Sequence, residues 1–345
     1  MMNVSSKSRV MRLEELKETL TEASQVFVLT DENVAQYWLP ELEHWLGCEQ
    51  AEEIVIGAGE SHKTLQTAQE IWEFLMENNA DRDAILVNLG GGTITDLGGF
   101  VASCYQRGIR FVNVPTTLLA MVDAAIGGKN GVNLEGCKNQ IGTFAEPLEV
   151  MVNPICLSTL PERELLSGLA EMVKYGFIAD DDLLEVDETN YEQYILRAGD
   201  LKRDIVDDDP TDLDQRRVLN FGHTLGHAIE SFSMTTESPL THGESVALGM
   251  WCALYLSIQV CGLHEDVLID YETKLRSLLA EAEVELGSGD VDAILTYMDH
   301  DKKNKDGHAS FVLLKAVEKP VIDQEVPEEL VRESLNELIK LVNDL

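Results

Sequence analysis

Basic residues are scarce in this chain: 26 lysines and arginines stand against 62 aspartates and glutamates in 345 residues, a formal net charge of −36. So acidic a surface repels nucleic acid and anionic membranes, and neither is expected as a partner. It also makes clustered cations informative, because an anionic ligand then needs a local positive pocket. Cysteine is sparse and unpatterned. Cys48, Cys104, Cys137, Cys156, Cys252 and Cys261 form no CxxC pair, and the stretch from Met1 to Arg12 lacks the apolar segment of a secretory leader, so a reducing cytoplasm is the expected setting. Long apolar runs are missing with one exception, Val246 to Leu263. Ser257 and Gln259 interrupt it, and a buried core helix is expected there rather than a membrane span. Internal repeats, low-complexity tracts and a long linker are also absent.

What is present is an ordinary globular composition, 44% hydrophobic and 26% charged, in a chain longer than one core usually supports. Short apolar runs at Gln25 to Leu29, Glu53 to Ile56, Ala84 to Leu89 and Phe111 to Val114 alternate with amphipathic stretches such as Thr64 to Asn78, where Leu65, Ala68, Ile71, Trp72 and Leu75 recur at helical spacing. That alternation predicts a parallel α/β arrangement. From about Pro161 helical patterns take over, around Ser167 to Ile178, Tyr191 to Val206, Arg216 to Phe232, Gly243 to Val260, Glu265 to Ala282 and Glu328 to Val342, with Ser310 to Leu314 the single β-like exception. The expected fold is an α/β Rossmann-like nucleotide-binding domain over residues 1–155 followed by a mainly α-helical, metal-binding domain over residues 156–345.

After the run Ala84 to Leu89 comes Gly90-Gly91-Gly92-Thr93-Ile94-Thr95-Asp96. Glycines at a strand-to-helix turn let backbone N–H groups approach a pyrophosphate, and the helix N-terminus favours its charge. The stretch is not the full GxGxxG fingerprint, but Asp31 and Asn33 after the first strand, and Glu60 with Lys63 after Gly57-Ala58-Gly59, could serve ribose and adenine. A phosphate loop of the Walker type fails at Gly127-Gly128-Lys129-Asn130, which lacks the upstream glycine and the hydroxyl residue after lysine. ATP is therefore not expected.

Three residues form a candidate metal set: Glu171, His223 and His242. One carboxylate and two imidazoles with an open position is the ligand pattern of a catalytic zinc. Glu171 and Lys174 share a helical face, as do His223 and His227; the second pair could supply two ligands, although Thr224 stands where the glutamate of HExxH would be, which disfavours a metalloprotease.

The stretches GGGTITDLGGFVAS, RGIRFVNVPTTLLAMVDAAIGGKNGVN, KNQIGTF, SGLAEMVKYGFI, RRVLNFGHTLGHAIE, HGESVALGM and DKKNKDG, in this order, closely resemble the 3-dehydroquinate synthase family of sugar phosphate cyclases from about Asp31 to Leu314. The resemblance implies NAD, a divalent metal that is usually zinc with cobalt as a substitute, a homodimer, and conversion of 3-deoxy-D-arabino-heptulosonate 7-phosphate to 3-dehydroquinate plus phosphate in the shikimate pathway. It implies Glu171, His223 and His242 as metal ligands, with His227 on the substrate side. Lys174, His227, Asn220, Lys202 and Arg216 are implied as catalytic, and Asp123, Lys129, Asn139, Lys302 and Lys303 as substrate-binding, with Arg107 reaching a partner's phosphate pocket. Asp31, Asn33, Glu60, Lys63, Gly91, Gly92, Asp96, Thr116, Thr117, Lys138 and Thr159 are implied on the NAD side. Thr95, Ala125, Asn130 and Asn153 depart from the family pattern, which has glycine, serine, threonine and aspartate there.

Two other classes share part of this pattern: cyclases of other sugar phosphates, and metal-dependent polyol dehydrogenases with the same glycine turn. The set His227, Asn220, Lys202, Lys138 and Asn139 resembles the dehydroquinate pattern, and its cations favour a phosphorylated acid over a neutral polyol.

Overall fold

The computed structural model describes residues 9–12, 16–46, 51–135, 137–301 and 310–344. The chain divides into two compact units, Met1–Leu160 with Ile195–Arg203, and Pro161–Tyr194 with Asp204–Leu345.

In the first unit, strands β1 (Arg9–Arg12), β2 (Val26–Asp31), β3 (Glu52–Ile56), β4 (Ile85–Gly90) and β5 (Arg110–Pro115) alternate with helices α1 (Leu16–Leu20), α2 (Glu32–Leu46), α3 (Leu65–Glu77) and α4 (Gly92–Cys104). An antiparallel ribbon of β6 (Lys129–Leu134) and β7 (Cys137–Phe144) follows, then β8 (Glu149–Val152). Six strands make one sheet in the order β1-β8-β5-β4-β2-β3, with every pairing parallel. All six positions of β4 are buried, as a central parallel strand covered on both faces requires, and this explains its largely apolar sequence, in which the one polar side chain, Asn88, donates to Asn113 on β5. Thr64 caps α3 by accepting the N–H of Thr67, and Ala68, Ile71 and Leu75 carry the helix into the core beside Leu86, Leu97 and Phe100.

The strand order fixes where a ligand can bind. From β2 the chain moves outward to β3, then crosses back to β4 and proceeds the other way to β5. The carboxyl ends of β2 and β4 therefore flank a topological switch point, the place where open parallel sheets bind ligands. Asp31 ends one of these strands, and the turn Gly90 to Gly92 follows the other.

The second unit is mainly helical: α5 (Glu162–Ile178), the end of α6 (Ile195–Asp208), α7 (His223–Ser233), α8 (His242–Cys261), α9 (Glu265–Leu278), α10 (Val291–Asp301) and α11 (Glu328–Asn343). The strand expected at Ser310 to Leu314 forms as β9 (Ser310–Leu314) and pairs antiparallel with β10 (Pro320–Glu325). α8 has the length and apolarity of a membrane span, but 72% of its apolar window is buried in the protein.

One expected helix is broken. The pattern over Arg216 to Phe232 suggests a continuous element, whereas Gln215–Asn220 forms a tight 3₁₀ turn and α7 starts afresh at His223. The cause is Gly222, whose φ of 78° lies in the left-handed region that costs side-chain-bearing residues strain. The restart presents His223 at the first turn of α7. Across from it, α8 comes so close at Gly249 that a Cβ there would lie 2.6 Å from the backbone nitrogen of Gly226. Gly249→Ala is expected to force α7 and α8 apart and destabilise the protein by about 1–3 kcal/mol, the usual cost of overpacking. Urea unfolding measures this; an unchanged midpoint would contradict so close a crossing.

Candidate active site

In the second unit, Glu171 lies in the buried stretch of α5 and is 0% exposed. Lys174, one turn further and 1% exposed, forms an ion pair with its carboxylate. The Nε2 atoms of His223 and His242 both lie 3.4 Å from Glu171 Oε1, a separation long for a hydrogen bond. Their other ring nitrogens are engaged: His223 Nδ1 donates to the Phe221 carbonyl at 3.0 Å, and His242 Nδ1 faces Glu230 Oε2 at 3.4 Å. With Nδ1 committed as the donor, Nε2 is the atom turned to Glu171. His227 joins the cluster, its ring edge-on to His223 with centroids 5.2 Å apart. Ligand atoms of His223, His227 and His242 all lie within 4.8 Å of one another.

The fit to a cation follows from the electrostatics. Burial alone would drive Glu171 neutral, but Lys174 and then His223 hold its carboxyl well below the usual carboxylate range. Both of its oxygens are buried, and apart from the Lys174 ammonium neither meets a hydrogen-bond donor in good geometry. Burial, with help from Lys174 and His227, pushes His223 down to about 4 against the pull of Glu171. Burial also opposes a charge on His242, yet Glu171 and Glu230 outweigh it and push this ring up to about 10. A carboxylate short of donors, faced by two imidazoles whose outer nitrogens are fixed by a carbonyl and a second carboxylate, is a donor set that fits a divalent ion of the zinc type. His227 is the competing third imidazole.

Three supports were not read from the sequence. Glu230 stands seven residues after His223 and three after His227, on one face of α7, and that spacing was the available signal. The second is a clamp on the start of α8. Thr241 and Glu244 form a reciprocal capping box, and Glu244, 2% exposed, also accepts Arg163 Nε at 2.6 Å and Nη2 at 2.7 Å, tying His242 to the helix that carries Glu171. The third is Asp209, whose carboxylate accepts the backbone N–H groups of Leu213 at 3.0 Å, Asp214 at 2.6 Å and Arg216 at 3.2 Å. These bonds shape the turn that delivers Arg216, itself 2% exposed and donating to the Pro210 carbonyl at 2.9 Å. Asn220 ends the following 3₁₀ turn and is exposed.

In the first unit, Gly91 caps α4 and Gly92 opens it, so the free N–H groups of that first turn lie at the switch point. Asp31 accepts the backbone N–H groups of Asn33 and Val34, both at 3.0 Å, and so caps the start of α2. Glu60 accepts the Thr93 hydroxyl at 2.8 Å. Lys63, 4% exposed, places its ammonium 2.6 Å from both Asp96 Oδ2 and Asn139 Oδ1. Burial raises the Asp96 carboxyl while Lys63 pulls it back. Lys202 donates to the Asp123 carbonyl at 2.6 Å and pairs with Asp123 Oδ1 at 2.9 Å. Thr116 is buried, Thr117 accepts the N–H of Ala120 at 3.1 Å, and Thr159 accepts the Trp38 indole N–H at 2.9 Å. Lys129 and Lys138 are exposed on the ribbon, and Arg107 is exposed with a φ of 71°. Lys302 and Lys303 lie outside the described residues.

The departures find local roles. Asn130 donates to the carbonyls of Gly128 at 2.9 Å and Ala145 at 2.8 Å, closing the base of the ribbon. Thr95 bonds the Gly92 carbonyl at 3.2 Å, Asn153 accepts the N–H of Ile155 at 3.2 Å, and Ala125 lends its carbonyl to Asn113 at 3.0 Å.

Among solved structures, 2-epi-5-epi-valiolone synthase (ValA) from Streptomyces hygroscopicus, solved with NAD+ and Zn2+ bound, is 26% identical at a TM-score of 0.85, over 99% of this chain and 98% of that one. A 2-deoxy-scyllo-inosose synthase solved with carbaglucose-6-phosphate, NAD+ and Co2+ is 25% identical at a TM-score of 0.82, over 96% of each chain. Fold and site together define a dehydroquinate synthase-like member of the sugar phosphate cyclases. Residues 53–167 match the N-terminal and 168–304 the C-terminal 3-dehydroquinate synthase family model, and the 3-dehydroquinate synthase of Clostridium tetani is 40% identical over 327 residues, 92% of this chain and 86% of that one. The chain belongs to the 3-dehydroquinate synthase family.

Because three N–H groups hold Asp209 below the usual carboxylate range, those of Asp214 and Leu213 first, its contribution to stability is full above the unfolded value of about 3.9 and fades as pH falls through the folded one. Asp209→Asn is expected to lower stability near neutral pH, with the gap from the parent closing below about pH 4. Urea unfolding across pH measures it; a gap independent of pH would contradict the caged carboxylate.

Proposed function

We propose that this chain converts 3-deoxy-D-arabino-heptulosonate 7-phosphate to 3-dehydroquinate and inorganic phosphate, the step of the shikimate pathway its family name describes. What carries the reading is the buried convergence of Glu171, His223 and His242 in a chain 40% identical to a 3-dehydroquinate synthase over nearly its full length. The cyclases of other substrates stand at 25–26% identity, which favours the dehydroquinate reaction over theirs.

When bound, a zinc ion at those three side chains supplies acidification of substrate hydroxyls, and NAD+ at the glycine turn supplies a reversible hydride acceptor. The reaction has no net redox change. It needs oxidation at one carbon to acidify its neighbour, loss of phosphate, return of the hydride, and closure of the opened ring by an aldol step.

The protein's own residues hold charge and move protons. Lys174 keeps Glu171 ionised in a dry interior, so the carboxylate stays a ligand and does not protonate. Lys129, Arg216 and Asn139, with Lys302 and Lys303, are assigned to the substrate's anionic ends, the guanidinium suited to a bidentate grip, and Lys174 and Lys202 to its carboxylate and a hydroxyl. Asp123, paired with Lys202, is assigned to the same side of the substrate. His227 and Asn220 are assigned to proton exchange with the ring oxygens. Much of the rate enhancement then comes from orientation. On the same family grounds the chain is proposed to work as a homodimer, with Arg107 at the partner's phosphate.

With zinc and NAD+ supplied, phosphate and 3-dehydroquinate are expected in equal amounts with no build-up of NADH, read by phosphate assay and NMR. NADH accumulating on a neutral polyol without phosphate release would favour a dehydrogenase instead. Glu171→Gln is expected to lose zinc and turnover together, and Glu230→Ala to weaken zinc by about 10–100-fold, as loss of a ligand-orienting partner does. Full activity in a zinc-free Glu171→Gln protein would contradict the assignment.

A further inference from the structure

The ribbon of β6 and β7 carries a local irregularity. Its register shifts between Val132, paired with Ile141, and Leu134, paired with Cys137, so three residues of β7, Lys138 to Gln140, stand opposite Asn133 alone. A bulge of this kind turns a side chain out of the ribbon's own pairing and is common beside functional sites. Here Asn133 is turned towards the segment Glu60–Thr64, with an isolated bridge to Thr64 and its backbone N–H donating to the Lys63 carbonyl at 2.8 Å.

Its amide then makes two bonds in opposite directions. Oδ1 accepts the backbone N–H of Asn139 at 2.9 Å, and Nδ2 donates to Glu60 Oε1 at 2.9 Å. The other oxygen of Glu60 takes the Thr93 hydroxyl in the first turn of α4, while Lys63 closes the ring between Asp96 on that helix and the Asn139 side chain. Asn139 is held at a φ of 51°, a left-handed conformation that asparagine adopts more readily than other side-chain-bearing residues but that still needs local partners to fix it. Among the described residues two bonds grip it, from its backbone N–H to Asn133 and from Lys63 to its side chain.

We propose that Asn133 is a positioning residue that couples the cofactor-binding turn at Glu60 to the substrate-binding residue Asn139. The proposal rests on the function given above, because it takes Glu60, Lys63 and Asp96 as the NAD side and Asn139 as the substrate side. The polar ring transmits the state of one side to the other: fixing Glu60 and the start of α4 fixes Asn133, which holds Asn139 in its left-handed conformation.

The test compares Asn133→Ala with Asn133→Asp in the zinc-loaded protein. Asn133→Ala removes both bonds and is expected to raise the NAD+ Kd and the KM for the heptulosonate phosphate, each by about tenfold, the scale of one hydrogen bond to a charged group. Asn133→Asp keeps the acceptor for the Asn139 N–H but sets a carboxylate against Glu60, so it is expected to weaken NAD+ while leaving the KM, at saturating NAD+, within about twofold of the parent. A residue that merely stabilised the ribbon would lower the thermal midpoint in both variants without separating Kd from KM. Unchanged affinities in Asn133→Ala, or equal effects of the two variants on KM, would overturn the coupling; should Asn133→Ala fail to fold, the split in Asn133→Asp decides. A parent protein that binds NAD+ yet releases no phosphate would overturn the functional reading, and the coupling with it. A parent that turns over normally beside unaffected variants would overturn the coupling alone.

Discussion

One buried carboxylate organises the second unit. An ionised group at 0% exposure is costly unless opposite charge meets it, and Glu171 is met by Lys174 from its own helix and by two imidazoles from the starts of α7 and α8. Everything that fixes those starts serves this charge. Gly222 restarts the chain so that His223 opens α7, Gly249 lets α8 cross closely, and the Arg163–Glu244 clamp pins the turn at His242. The cluster is thus built from helix beginnings and one helix middle, rigid elements that hold donor atoms better than loops would.

The first unit solves a different problem, leaving backbone N–H groups unpaired at the start of α4 while its buried ammonium, Lys63, stays paired with Asp96. Parallel strand order sets a switch point between β2 and β4, and the first turn of α4 supplies the unpaired donors. Around that turn the polar residues form a connected ring, with Lys63 bonded to Asp96 and Asn139, and Glu60 to Thr93 and Asn133. Networks of this kind keep their geometry only when every member is satisfied, so single substitutions in it reach beyond the group removed.

Much of this was legible in the sequence because it follows from periodicity and spacing. The strands at Val26, Ile85 and Arg110, the helix capped by Thr64 and the helical character beyond Pro161 all follow from runs of apolar residues whose burial decides their structure. Elements stabilised by partners distant in sequence were not legible. β10 begins with proline and carries charges, and it is a strand only because β9 lies beside it; β6 and β7 lack a clear apolar alternation, and their antiparallel pairing is what makes them a ribbon. For the site, residue types and motif order pointed to Glu171, His223 and His242, but the outer partners did not stand out. Glu230, Glu244, Asp209 and Asn133 are ordinary polar residues in sequence, and their roles arise from bonds to groups up to 81 positions away, such as Arg163 with Glu244.

Glu171, His223 and His242 are proposed to bind one divalent ion together, leaving His227 to the substrate. X-ray absorption at the zinc edge of the protein loaded with one equivalent of zinc tests this most directly. Two imidazole nitrogens and a carboxylate oxygen at about 2.0–2.2 Å are expected, with the pattern unchanged in His227→Ala. Three imidazoles without a carboxylate, or loss of the metal on removing His227, would contradict it.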